Sequence, residues 1–62
     1  MKYRIESSVN GRKFRDEKCE ANSVRQATQL LAPDIAKMFD FNQGRASVMI
    51  GSTVHSVFPM EL

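Results

Sequence analysis

The sequence predicts a small α+β domain: a two-layer sandwich of order ββαββ, with a four-stranded antiparallel sheet and one helix on one face. Three observations carry this. Apolar and polar residues alternate over residues 2–9 and 46–50. Asn10-Gly11 and Gly51-Ser52 each interrupt alternating segments. Between them a stripe of helical period begins after Ser23. A hairpin, a helix and a second hairpin bury their apolar sides most economically when the helix covers one face of a single sheet.

The first strand places Tyr3, Ile5, Ser7 and Val9 on one side and Lys2, Arg4, Glu6 and Ser8 on the other, so one face is wet. Asn-Gly then suits a type I′ turn, which needs positive φ at both central residues. The second strand is expected from about Arg12 to Glu20. A two-residue turn sets Val9 opposite Arg12, Glu6 opposite Arg15 and Arg4 opposite Glu17, the last two joining opposite charges. Continued unbroken, that register would turn Asp16 and Lys18 inward. A β-bulge within Arg15-Asp16-Glu17 is therefore expected, returning Cys19 to the core face.

Ser23 with Gln26 three residues later fits a capping box. Val24, Ala27, Leu31, Ile35 and Met38 follow as one apolar stripe, widened by Leu30 and Phe39. Pro33 interrupts it; a proline inside a helix costs about 3 kcal/mol. Either the helix kinks there, or it ends near Leu31–Ala32 and a short second helix starts at Pro33; the Pro-Asp pair favours the second form. Asn42-Gln43-Gly44 reads as a stop and loop. In the last hairpin, a two-residue turn would set His55 on the face of Val48; a longer one would set Val54, Ser56 and Phe58 there.

The 62 residues are expected to form one domain, residues 1–62. A chain of this size buries only about 60% of its unfolded surface, which leaves little stability for a strained active site. The single cysteine, Cys19, cannot form an internal disulfide, so a reducing, cytoplasmic setting is expected. The longest aliphatic stretch is Val48-Met49-Ile50, so no membrane partner is expected. Net charge is only +2, but six of the nine basic residues lie in the first 18 positions.

Catalytic chemistry is not suggested. His55 is the only histidine, and a metal site would need more His, Cys or clustered carboxylates. Neither a metal nor a cofactor is expected. Cys19 reads as a small buried residue, although a Cys-His pair across the sheet is conceivable. Binding is the better reading. Arg4, Arg12, Lys13 and Arg15 load the first hairpin, with Arg12-Lys13 at its tip the best local phosphate contact. Met49 points away from Val48 and Ile50, where with Val54 or Phe58 it would make an exposed apolar patch. The last strand, if it lies at an edge, could extend the sheet into a second chain.

The run YRIESSVNGRKF, then EANSVRQATQLL, then a valine-rich hairpin resembles a class of tiny phage and mobile-element proteins. Some type I anti-CRISPR inhibitors share this organisation, as does the ββαβ module of an archaeal ribosomal protein. The likeness covers most of the chain as a pattern and departs from it at the longer second strand and at Pro33. It implies a non-enzymatic inhibitor that occludes a larger protein or ribonucleoprotein machine. Arg4, Arg12, Lys13, Arg15 and Met49 are its candidate contacts. The alternatives are nucleic-acid binding through the first hairpin and homo-oligomeric assembly, with a homodimer formed through an edge strand.

Overall fold

The structure is a computed structural model and describes residues 1–60. Strand β1 spans Lys2–Val9 and β2 Arg12–Glu20. Asn10 and Gly11 take φ of 51° and 80°, the paired positive values that a type I′ turn demands. Asparagine and glycine are the residues that tolerate them at least cost.

Helix α1 runs Val24–Leu31. Ser23 Oγ accepts from Gln26 N at 3.1 Å. Gln26 Oε1 reaches back to Asn22 N at 2.6 Å, one residue beyond the usual return contact of a capping box. Removing this cap by Ser23→Ala is expected to cost about 1 kcal/mol. In a domain of this size the melting temperature should fall by roughly 4–8 °C, followed by circular dichroism.

Pro33 splits the helical region. The last turn of α1 closes through Ala32 N to Thr28 O at 2.8 Å, and no second α-helix starts at the proline. A single 3-10 turn, Ala36–Met38, follows instead. The stripe therefore loses phase after Leu31. Beyond it Phe39 is buried and Ile35 half-buried, but Met38 is 53% exposed; within α1 itself the expected Leu30 is 58% exposed, and Thr28 takes a fully buried place. Thr28 tolerates burial because its hydroxyl donates to Val24 O at 2.8 Å.

The sheet has five strands rather than four, so the order is ββαβββ. Asp40–Asn42 forms a short β3, β4 is Arg45–Ile50 and β5 is Thr53–Pro59. The expected loop at Asn42-Gln43-Gly44 is a hairpin turn, with Gln43 and Gly44 at φ 54° and 77°. Strand order is β2-β1-β5-β4-β3, with every pair antiparallel. The last strand is thus the centre of the sheet, and the edges are β2 and the short β3. Gly51-Ser52 is a two-residue turn, because Ile50 pairs with Thr53 and Val48 with His55.

The core lies between α1 and one face of the sheet. It holds Tyr3, Ile5, Ala21, Ala27, Leu31, Ala32, Phe39, Ala46 and Val57. Its four alanines let the helix lie close to the strands around the few large side chains. The opposite face of the sheet carries no helix.

Candidate binding surface

The bulge in β2 decides what the open face displays. The register shifts between Ser7 and Ser8, so the extra residue is Phe14 and not one of Arg15-Asp16-Glu17. After it, Ser7 pairs with Arg15, Glu6 with Asp16 and Arg4 with Lys18. The expected Glu6–Arg15 and Arg4–Glu17 oppositions do not form. The shift still achieves what the sequence requires: Asp16 and Lys18 turn to the open face, and Cys19, opposite Tyr3, turns to the helix side.

Arg15 therefore leaves the expected contact set. It sits on the helix side, where its Nη2 lies 2.8 Å from Glu17 Oε1 and donates to Leu31 O at the end of α1. A guanidinium there satisfies a carbonyl that the broken helix leaves open and complements the negative end of its dipole. The hydrogen bond from Arg15, ahead of its charge, holds the exposed Glu17 carboxyl below its usual range. Arg12, opposite Val9, also belongs to the helix-side alternation, at the exposed hairpin end. Arg4, Lys13 and Met49 do share the open face.

Read across the strands, that face is a set of rows. One row carries Lys18, Arg4, Phe58, Arg45 and Asn42. The next carries Asp16, Glu6, Ser56, Ser47 and Asp40. A third carries Lys13, Ser8, Val54 and Met49, and on the far side of the first lie Glu20 and Lys2, with Met60 bonded to Lys2 O. The three inner rows thus run cationic, anionic, cationic, and the outermost carries one charge of each sign.

Ion pairs tie the rows together. Arg4 Nε lies 2.9 Å from Asp16 Oδ1, and Lys13 Nζ lies 3.3 Å from Glu6 and 3.5 Å from Asp16. The Arg4 approach is an ion pair without an aimed N–H, for Nε is buried with no hydrogen-bond partner among the described residues. The Glu6 hydrogen bond and charge raise the Lys13 pKa despite its exposure. Beside this network, Arg4, Arg45, Phe58, Pro59 and Met60 line an open depression of about 200 Å³, with the Arg45 guanidinium 5.8 Å from the Phe58 ring centre. Met49 is 69% exposed and faces Val54 across β4 and β5, so the expected apolar patch is present.

The helix side holds one polar side-chain contact between β1 and β5. Ser7 Oγ lies 2.6 Å from His55 Nδ1, flanked by the rings of Phe14 and Phe39 at 6.5 and 6.4 Å. Ser7 is 1% exposed, so its hydroxyl is closed to a substrate. Cys19 pairs with Tyr3 and His55 with Ser7; four residues of strand, about 13 Å, separate those positions along β1. A Cys-His contact is therefore excluded. Burial, and secondarily Glu20, push the Cys19 thiol up. Its alkylation by iodoacetamide at mildly alkaline pH should be slower than that of a free thiol and should recover in urea, as followed by mass spectrometry. Among the described residues no three His, Cys, Asp or Glu side chains gather as a metal site, and no helix is long and apolar enough to cross a membrane.

The fold and surface define a class: a two-layer α+β domain with one helix-covered face and one open, charge-striped face. No family model, curated protein or solved structure matches this chain.

Proposed function

We propose that the protein is a non-enzymatic binding protein whose open sheet face docks a protein partner. One observation carries this: Met49, Val54 and Phe58 stand on an uncovered face inside a mosaic of opposite charges. Apolar groups ringed by charge suit a protein surface, where burial supplies affinity and charge sets orientation. A phosphate backbone is a poorer fit. It would cross the carboxylates of Asp16, Glu6 and Asp40, which lie between the cationic rows. The resemblance to small phage and mobile-element proteins makes the partner a larger protein or ribonucleoprotein machine, inhibited by occlusion in the cytoplasm.

The test is capture from a lysate of the source cell. Wild-type protein should retain a partner that the Met49→Asp/Arg45→Glu variant loses and that Leu30→Asp, on the helix's outer surface, keeps. Retention by the double variant would sink the reading. Binding to single-stranded DNA that collapses as salt rises would transfer the function to nucleic acid.

A further inference from the structure

We infer that, when no partner covers it, the open face closes on a second copy of this chain, forming a symmetric four-layer sandwich with the two helices outside. This rests on the reading of that face as a protein-docking surface and names one occupant for it. The argument is the order of its rows. Place a two-fold axis in the plane of the face, running across the strands between the Lys18-Arg4-Phe58-Arg45 row and the Asp16-Glu6-Ser56-Ser47 row. The rotation lays each of these rows over the other and the Glu20-Lys2-Met60 row over the Lys13-Ser8-Val54 row.

Wherever two charged residues meet, their signs are opposite, and the remaining cations, Arg45 and Lys2, come over Ser47 and Ser8. Lys18 comes over Asp16, Arg4 over Glu6 and Glu20 over Lys13, while Met60 comes over Val54. Each contact is made twice, as an isologous interface requires. No like charges are opposed. Shifting the axis by half a row, onto the first of these rows, would bring Lys18 and Arg4 over themselves, and a full row towards Lys2 would set Lys2 over Arg4, so the charges disfavour both of those registers. Sheets packed face to face keep their strands within about 30° of alignment, which this arrangement permits.

The area is sufficient. With strands about 4.8 Å apart and same-face residues about 6.7 Å apart along them, the four rows cover about 500 Å² on each copy. About 1,000 Å² in total is the threshold of a specific interface, so the dimer is expected to be weak, concentration-dependent and salt-sensitive. A weak dimer is also one that a tighter partner can displace.

Sedimentation of the full chain at two concentrations, in low and high salt, tests this. The mass should rise from 7.0 kDa towards twice that value with concentration, and fall back with salt. Lys18 makes no ion pair among the described residues, so Lys18→Glu should hold the protein at 7.0 kDa without unfolding it. Asp16→Lys alone should do the same. A mixture of the two variants should dimerise again, because each then meets its opposite charge; thermal melts establish that both are folded. A wild type at 7.0 kDa throughout overturns the inference, as does a mixture no heavier than its components. If the wild type is monomeric while Met49→Asp/Arg45→Glu still loses its captured partner, the dimer fails and the docking function stands.

Discussion

Ile5→Ala is expected to abolish the folded state, or nearly so, at 25 °C. Ile5 is fully buried, on a strand paired on both sides: it faces Glu17 in β2 and Val57 in β5. Truncating such a side chain costs about 2–5 kcal/mol, through lost transfer energy plus the cavity left behind. A core in a chain this short supplies rarely more than about 3–5 kcal/mol of net stability. The two quantities are of the same size. Ile5 sits on a strand hydrogen-bonded on both sides within the close-packed core, so the site has little means of collapsing. Urea titration followed by circular dichroism should show the transition midpoint moving close to zero. A midpoint that barely moves would mean that stability resides elsewhere, in the hairpins or in association. Ile50→Ala, at a residue 36% exposed, is the control and should change little.

The second large effect is expected at Phe39. Phe39→Ala should cost about 3–5 kcal/mol, whereas Met38→Ala should stay within about 0.5 kcal/mol. The two residues are neighbours in one apolar run, and the sequence assigns both to the same stripe. They separate because Pro33 ends the helical phase. The 3-10 turn presents Met38 to solvent, and the extended backbone at Phe39 (ψ 141°) leads its ring inward beside His55. Phe39 also leads directly into β3, a three-residue edge strand otherwise held by its pairing with β4 and by Phe41, which packs against the core beneath Arg25. Its loss should therefore first free the Asp40–Asn42 segment, seen as faster amide exchange there. Equal costs at the two positions would indicate a continuous helix through Pro33.

The difference between Met38 and Phe39 shows where sequence reasoning runs out. Periodicity is local, and it reported the strands, the Asn-Gly turn and the capped helix start because each rests on residues within a few positions of one another. β3 escaped it because three residues are too few to establish alternation, and because Gln43 adopts a positive φ without being a residue type that signals one. The candidate surface was half legible. Alternation along their strands is enough to place Arg4, Lys13 and Met49 on the open face. Arg15 was misplaced by a single bulged residue, since a one-residue shift sends every later side chain to the other face. Phe58 and Arg45, which flank the open depression, were separated in sequence from the basic hairpin and had no local signal to join them.

The α+β class, the helix start at Ser23, the break at Pro33 and the wet face of the first hairpin are local properties of the chain. These follow from backbone preferences and side-chain alternation, which act over a few residues. The number of strands, the central place of the last strand, the position of the bulge and the assembly of charged rows on the open face are long-range properties. Those depend on which strands pair and in what register, and pairing between residues as far apart as Arg4 and Phe58 is settled by burying Ile5 and Val57 together beneath the helix.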